Sequence, residues 1–284
     1  MEEDLKDIYL YLNSTFNIQH LAFIVFALLF CCFLCACFQA PVTGRSQLML
    51  VSPEQERVLG LNAYKSILQK EMVSRDQVLN QMLQTVGWRI ANAARRPDFD
   101  WEFTFIENDR VANAFCLPGG KVFVYTGILK YTEDETGLAT VIGHEVAHAM
   151  ARHGAERISL TLLAQLGETA MQTAIRTQSA NTIRAFDCAY GLAANVGVML
   201  PYSRTQEYEA DHIGLILMAK AGYDPRGALG FWERLSKGKS ASSPPSFLST
   251  HPTDYDRIAK IRSLLPEALE YYAKERKINK LNKN

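Results

Sequence analysis

The sequence predicts an α+β protein that is mainly helical, with a small three-stranded sheet beside a central helix. The central helix is predicted from apolar residues that recur at helical spacing between positions 138 and 149. The sheet is predicted from three short runs rich in aromatic and β-branched residues, at 101–105, 111–115 and 121–125. A length of 284 residues is enough for one sizeable domain and a terminal anchor.

Two helices are predicted before the sheet. Ser52 followed by Pro53 indicates the start of the first, because proline is favoured at the first helical position. The segment from Ser74 to Gln77 has the pattern of a capping box and predicts a second helix that ends near Arg96. Between the second and third strands, the segment 118–120 has the sequence Pro-Gly-Gly, which predicts a turn.

The central helix has clear boundary signals. Thr132 is predicted as its N-cap and Glu135 as the residue that completes a capping box. Gly154 is predicted at its carboxyl end, because glycine commonly follows the last helical turn.

This helix carries the most informative motif of the chain. His144 and His148 are four residues apart and therefore share one face of the helix, so that both imidazoles can bind one metal ion. Glu145 is offset by about 100° around the helix and can reach a metal-bound water without binding the metal itself. The pattern His-Glu-x-x-His is typical of zinc metalloproteases. A catalytic zinc has three protein ligands and one open position for water.

A third ligand is expected from a second helix. A third histidine directly downstream is excluded, because His153 is out of register with the first two. Glu207 and Asp211 share a face of a second helix, which is predicted to run to about Ala221, where Gly222 ends it. Glu207 is therefore the candidate ligand, and Asp211 can accept the second ring N–H of a liganding histidine. Glu209 points to the other side and is predicted to be solvated.

These motifs together resemble the gluzincin metallopeptidases of family M48, which has HtpX-like, Oma-type and CAAX-prenyl endopeptidase members. The resemblance covers roughly residues 37–265 and is closest to the bacterial periplasmic lipoprotein members. It implies a gluzincin metalloprotease fold for residues 38–265. It is carried by separated motifs in one order: Val42-Thr43-Gly44-Arg45, Asn113-Ala114-Phe115, Pro118-Gly119-Gly120, His144-Glu145-x-x-His148, Ala151-Arg152-His153-Gly154, Glu207-x-x-Ala210-Asp211 and Ser249-Thr250-His251-Pro252.

The resemblance implies a zinc-dependent endopeptidase that hydrolyses peptide bonds with a zinc-activated water. One Zn²⁺ per chain would be bound by His144, His148 and Glu207. Glu145 would act as the general base and later as the proton donor to the leaving amine. Asp211 would orient a liganding histidine by accepting a hydrogen bond from its second ring N–H.

Further residues follow from the resemblance. His251 lies where periplasmic relatives have a histidine that approaches the zinc and restrains activity, and Arg257 where they have an arginine near the same site. The structural alternatives are that His251 is only a loop residue and that Arg257 is only a surface charge. Asn113 and Ala114 are expected on an edge strand that aligns the substrate by β-augmentation. The alternative is a sheet that serves only as support.

The amino terminus predicts a signal peptide or a membrane anchor in residues 1–37. The apolar run from Leu21 to Phe38 is at the lower limit for spanning a bilayer. It ends in a lipobox-like sequence in which Cys37 would be the lipidated residue. The acidic residues before it are unusual for a signal peptide and for a mitochondrial transit peptide alike. We expect a lipoprotein on the periplasmic side of a bacterial cell envelope, with a retained inner-membrane helix as the alternative.

The remaining expectations concern partners and segments. With 30 basic and 30 acidic residues, the balanced charge indicates no nucleic-acid partner. The expected partners are unfolded or misassembled envelope proteins and the membrane. Cys116 and Cys188 form a disulfide or stay as buried thiols. The segment from Phe186 to Leu200 is interpreted as a lid or a buried helix. A helix at 253–264 is expected to close the domain, before a basic polar tail at 266–284.

Three functions are compared on this basis. The leading hypothesis is a zinc endopeptidase in quality control of cell-envelope proteins. The second is an integral-membrane processing protease of the Oma type. The third is a non-catalytic chaperone or assembly factor with a structural zinc. Glu145 argues against the third, because a structural metal site needs no general base.

Overall fold

The computed structural model describes residues 37–165, 202–240, 244–253 and 255–281. Its strands are β1 Cys37–Gln39, β2 Ser46–Leu48, β3 Glu102–Ile106, β4 Ala114–Leu117 and β5 Lys121–Tyr125. Its helices are α1 Pro53–Lys70, α2 Gln77–Ala94, α3 Leu129–Thr132, α4 Glu135–Met150, α5 His153–Gln165, α6 Arg204–Lys220, α7 Gly227–Lys237, α8 Phe247–Thr250 and α9 Tyr255–Leu281, with 3-10 turns at Thr126–Ile128 and Gly238–Ser240. The predicted α+β, mainly helical fold class is confirmed.

The three-stranded sheet has the order β3-β5-β4, so β5 is central and β4 lies at an edge. β5 is parallel to β3 and antiparallel to β4. The first and third strands lie where the alternation predicts them, whereas the second begins at Ala114 and not at position 111. Gly119 and Gly120 have φ values of 86° and 92° in the predicted turn. This left-handed backbone favours glycine, which has no Cβ to clash.

The first helix begins as predicted, and the second begins two residues later than expected. The Ser52 side chain accepts a hydrogen bond from the backbone of Gln55 in a complete capping box, and Pro53 is the first helical residue. In α2 the N-cap is Asp76, whose side chain accepts from the Leu79 N–H. Helix α2 ends at Ala94, close to the predicted end.

Both predicted ends of the central helix α4 are wrong by a few residues. Its N-cap is Asp134, whose side chain accepts from the Gly137 N–H. Thr132 instead ends the short helix α3, because Glu133 has a φ of 64° and interrupts the helical backbone. At the other end, Arg152 has a φ of 55°, so the predicted terminus Gly154 lies inside α5.

Helix α4 is the centre of the fold. Its residues from Gly137 to Ala149 are all buried. It packs against α6, where a Cβ atom on Gly214 would lie 3.1 Å from the backbone carbon of Gly143 and from the amide nitrogen of His144. The two backbones therefore approach each other without side chains between them, which brings the metal motif of α4 beside the acidic residues of α6.

The carboxyl-terminal helix is longer than predicted. Helix α9 continues through Pro266 to Leu281, so the predicted tail is helical over most of its length. Leu265 and Ala268 are buried against the core on either side of the proline. This packing stabilises the helix across a residue that lacks a backbone donor.

Several predictions fall outside the described residues. They include Cys188, the segment from Phe186 to Leu200 and the apolar run that begins at Leu21, of which only the last two residues are described. The disulfide, the lid and the anchor stay predictions. Among the helices of the described ranges, none is long and apolar enough to cross a membrane.

Candidate metal centre

Four side chains converge between α4, α6 and the segment after α8. They form the metal-ligand cluster His144, His148, Glu207 and His251, whose possible ligand atoms all lie within 4.8 Å of one another. All four side chains are buried. The structure therefore brings the three predicted ligands together and adds a third histidine.

The spacing of the predicted ligands fits a zinc ion. Nε2 of His144 lies 3.0 Å from Nε2 of His148 and 3.6 Å from Oε2 of Glu207. Nε2 of His148 lies 3.4 Å from Oε1 of Glu207. Two bonds of about 2.1 Å at a tetrahedral angle place ligand atoms roughly 3.4 Å apart. Oε2 of Glu207 is buried without a hydrogen-bond partner among the described residues, although Arg257 is in ion-pair contact with it.

Local structure explains why α6 supplies its ligand at this point. Ser203 is its N-cap and forms a capping box with Gln206, so Glu207 and Asp211 lie in its first two turns. Oδ1 of Asp211 lies 3.0 Å from Nδ1 of His144. This contact leaves Nε2 of His144 directed at the cluster, which is how carboxylates orient liganding histidines.

Glu145 lies beside the cluster, where the motif predicts a base. Its carboxylate accepts a hydrogen bond from the backbone N–H of Cys116 in β4. Its Oε1 is 3.3 Å from Nε2 of His251. Burial and the negative charge of Glu207 raise the pKa of Glu145 well above its usual value. A carboxylate in this state is suited to take up a proton near neutral pH.

His251 lies against the three predicted ligands. Its Nδ1 is 3.2 Å from Nε2 of His144 and 3.0 Å from Oε1 of Glu207. Its ring stacks on Phe247 and on Tyr202, at centroid distances of 4.3 and 5.2 Å. Burial lowers the pKa of His251 to about 4.

Arg257 is 1 % exposed and is therefore not a surface charge. It binds Asp211 through two nitrogens, at 2.7 and 2.9 Å, and is in ion-pair contact with Glu207. Its guanidinium lies 3.7 Å from the centre of the Trp232 ring. Burial would lower the pKa of Arg257, yet the charges of Asp211 and Glu207 raise it.

Ala114 is the first residue of β4, a strand at the edge of the three-stranded sheet. The Asn113 carbonyl accepts the Tyr125 N–H and so faces β5. Its neighbour Ala112 accepts the Phe247 N–H on the other side. Because these directions alternate along a strand, the N–H and carbonyl of Ala114 face away from β5. Oδ1 of Asn113 is buried with no hydrogen-bond partner within the described part of the chain.

Sequence reasoning missed two residues behind the cluster. Glu209, predicted to be solvated, is 4 % exposed, and that prediction is wrong. His153 is completely buried, with Nδ1 at 2.8 Å from Nδ1 of His148 and Nε2 at 2.8 Å from Oε2 of Glu209. The β1–β2 hairpin covers this face of α6 through Thr43 and Arg45. No local pattern signals a contact between residues more than 160 positions apart.

Cys37 is the first residue of β1, and its backbone pairs with Leu48 in β2. Its lipidation stays a prediction. Cys116 is buried, and burial raises the pKa of its thiol well above the usual value.

Comparison with known proteins identifies a family and relatives. Residues 77–265 match the model of peptidase family M48. The mitochondrial metalloendopeptidase OMA1 of Schizosaccharomyces pombe is 37 % identical over 232 residues, covering 80 % of this chain and 66 % of the relative. That of Saccharomyces cerevisiae is 34 % identical over 253 residues, covering 82 % and 70 %. The beta-barrel assembly-enhancing protease of Escherichia coli is 28 % identical over 231 residues, covering 78 % and 46 %. The chain therefore spans between 46 % and 70 % of these relatives.

These relatives contradict the expected location. OMA1 proteins from fungi, a plant and animals, at 31 to 37 % identity, are mitochondrial. The prediction of the periplasmic side of a bacterial envelope is therefore wrong. It depended on a short lipobox-like sequence at the end of an apolar run, and small residues and cysteines there have little specificity.

Proposed function

This chain belongs to peptidase family M48, and from that membership we propose that it is a zinc-dependent endopeptidase that hydrolyses peptide bonds of protein substrates. The observation that carries the proposal is the spacing of His144, His148 and Glu207, which suits one zinc ion, with Glu145 beside them. Relatives at 31 to 37 % identity are named metalloendopeptidases.

The three predicted ligands would hold one Zn²⁺ between α4 and α6. When bound, zinc lowers the pKa of a coordinated water to about 7 and polarises a carbonyl oxygen. Asp211 keeps His144 turned toward the metal through the contact at Nδ1. Arg257 in turn holds Asp211 through two hydrogen bonds and contacts Glu207.

Glu145 moves the protons of the reaction. Its raised pKa suits a group that accepts a proton from the attacking water and then delivers it to the leaving amine. Its hydrogen bond from the Cys116 N–H fixes the carboxylate beside β4. The backbone groups of Ala114 face away from β5 and, with Asn113 next to them, would align an extended substrate as an added strand at this edge.

His251 keeps the centre latent. It lies within 3.3 Å of atoms of His144, Glu145 and Glu207, in the corner that water and substrate need. Activity then requires the segment between α8 and α9 to withdraw the imidazole. Such a restraint suits a protease that acts in protein quality control on unfolded or misassembled proteins, because it limits damage to folded ones.

A second candidate function is a non-catalytic chaperone or assembly factor. The observation that favours it is the same histidine, because three histidines and one carboxylate can close a tetrahedral structural site. The presence of Glu145 in the motif argues against it.

The test compares casein digestion by the full chain and by its Glu145→Gln variant. The parent should digest casein and should stop when 1,10-phenanthroline removes the metal. Glu145→Gln should keep one zinc per chain, measured by elemental analysis, and lose digestion. Glu135→Gln, on the exposed first turn of the same helix, is the matched control and should stay active.

Each substitution is also made in a His251→Ala chain, so that latency is not mistaken for absence of catalysis. Equal digestion by the parent and Glu145→Gln would remove the base assignment. If the chain binds zinc but digests no casein, even with His251→Ala, the result would favour a non-catalytic chaperone or assembly factor with a structural zinc.

A further inference from the structure

We propose that His153 and Glu209 are positioning residues that hold the imidazole of His148 in the orientation and tautomer that binds the metal. The inference rests on the proposed function, because it concerns the same metal centre. It starts from two contacts outside the cluster. Nδ1 of His153 lies 2.8 Å from Nδ1 of His148, and Nε2 of His153 lies 2.8 Å from Oε2 of Glu209.

The chemistry of the three groups decides where the protons lie. A carboxylate can only accept, so the proton between Glu209 and His153 is on Nε2 of His153. A neutral His153 then has an unprotonated Nδ1, which accepts a hydrogen bond from the facing Nδ1–H of His148. With its proton on Nδ1, His148 presents the lone pair of Nε2. That atom lies in the metal-ligand cluster, 3.4 Å from Oε1 of Glu207.

The two liganding histidines of α4 are thereby supported in the same chemical way. Nδ1 of His144 contacts the carboxylate of Asp211 directly, at 3.0 Å. Nδ1 of His148 reaches the carboxylate of Glu209 through one intervening imidazole. Liganding histidines almost always donate their outer N–H to such a partner, which fixes the ring and raises its basicity.

The far end of this relay is held by the β1–β2 hairpin. The Thr43 hydroxyl donates to Oε1 of Glu209, and Nε of Arg45 donates to Oε2 at 2.9 Å. Arg45 also binds Glu156 of α5 through two nitrogens, at 2.6 and 2.8 Å. Thr43 and Arg45 belong to the motif Val42-Thr43-Gly44-Arg45, to which the proposed catalytic mechanism assigns no role. The relay gives that motif a role in positioning a metal ligand.

The test measures zinc affinity of the full chain by competition with a chelator. It also records the visible absorption spectrum after cobalt(II) replaces zinc, which reports ligand geometry. Glu209→Gln offers one acceptor oxygen where Thr43, Arg45 and His153 all donate. It should weaken zinc binding about 10- to 100-fold and shift the cobalt spectrum. His153→Phe keeps a ring of similar shape, removes both hydrogen bonds and should act in the same direction.

The matched control is Glu156→Gln. It weakens the attachment of Arg45 to α5 but leaves the hydrogen bond between Glu209 and His153 in place, so zinc affinity and the cobalt spectrum should change much less than in Glu209→Gln. Circular dichroism and thermal unfolding of the metal-free chains separate folding from metal binding. If His153→Phe does not fold, the Glu209→Gln result decides.

Unchanged zinc affinity in Glu209→Gln would overturn the relay, as would an equal loss in Glu156→Gln. These results are distinguishable from failure of the proposed function. If the parent binds no zinc, both proposals are wrong. If the parent binds zinc and digests casein, but Glu209→Gln and His153→Phe bind zinc as tightly as the parent, only the relay is wrong.

Discussion

Two glutamates in the same buried cluster have pKa values shifted in opposite directions. Burial raises the pKa of Glu145, and the charge of Glu207 raises it further. Burial would also raise the pKa of Glu207, yet the charges of Arg257 and His251 hold it well below its usual value. A carboxylate that binds a metal must be deprotonated, whereas a general base must take up a proton. The shifts therefore match the two proposed roles.

Replacing His251 by alanine should raise the rate of casein digestion. The substitution empties the corner beside His144 and Glu207 that water and substrate need. We expect a rise of roughly tenfold, equivalent to about 1.4 kcal/mol, in initial rates with saturating zinc. His212→Ala, at a half-buried histidine bonded to Glu267, is the control and should change nothing. A fall in rate would show that His251 assists the reaction.

At the scale of elements, the crossing of α4 and α6 decides whether the ligands meet. Glu207 and His144 lie on different helices, so their separation depends on how closely the two axes approach. At Gly143 and Gly214 the two backbones approach so closely that a Cβ on either glycine would lie 3.1 Å from a backbone atom of the other. The glycines thus serve the metal centre by packing.

Gly214→Ala should destabilise the fold by about 1–3 kcal/mol, because the new Cβ would lie 3.1 Å from backbone atoms of α4 and the two helices must shift apart to relieve the contact. It should also weaken zinc binding, since the helices separate where Glu207 faces His144. Urea unfolding and chelator competition measure the two effects. In Gly230→Ala the new Cβ meets only the flexible end of Arg234, so this control should keep or gain stability. Equal effects of the two substitutions would contradict the explanation.

At the scale of the molecule, the β1–β2 hairpin before the first helix is attached to helices α5 and α6. Arg45 joins it to Glu156 of α5 and to Glu209 of α6. The Leu50 N–H donates to Ser159 at 2.8 Å. The family match begins only at residue 77, yet the segment from 37 onward packs behind the metal centre.

Acidification should weaken the attachment of the β1–β2 hairpin to Glu156 of α5. Burial would raise the pKa of Glu156, but hydrogen bonds from Arg45 and Gln206 lower it from 4.5. A lowered folded-state pKa means that the stabilisation is present above pH 4.5 and is lost as the pH falls through the folded value. Near neutral pH, Glu156→Gln should therefore be less stable than the parent by about 1–3 kcal/mol in urea unfolding.

That difference should shrink steadily below pH 4.5. Glu54→Gln, which loses an exposed ion pair with Arg57, is the control and should differ from the parent much less than Glu156→Gln at every pH. A difference that does not depend on pH would contradict an ionic origin.

Local periodicity determined much of this protein from sequence alone. A helix places residues four apart on one face whatever surrounds it, so the spacing by itself pairs His144 with His148, and likewise Glu207 with Asp211. The strand alternation and the Pro-Gly-Gly turn are local in the same sense.

Only the tertiary structure decided what faces those residues. Contacts between Thr43 and Glu209, or between His251 and His144, join positions more than 100 apart and depend on how the helices pack. The same packing buries Glu209, which a helical pattern alone places on a solvated face. Spacing along a helix is set by the backbone, whereas burial and partners are set by the whole chain, which is why the pairing of Glu207 with Asp211 was predictable and the contacts of His153 and Glu209 with His148 were not.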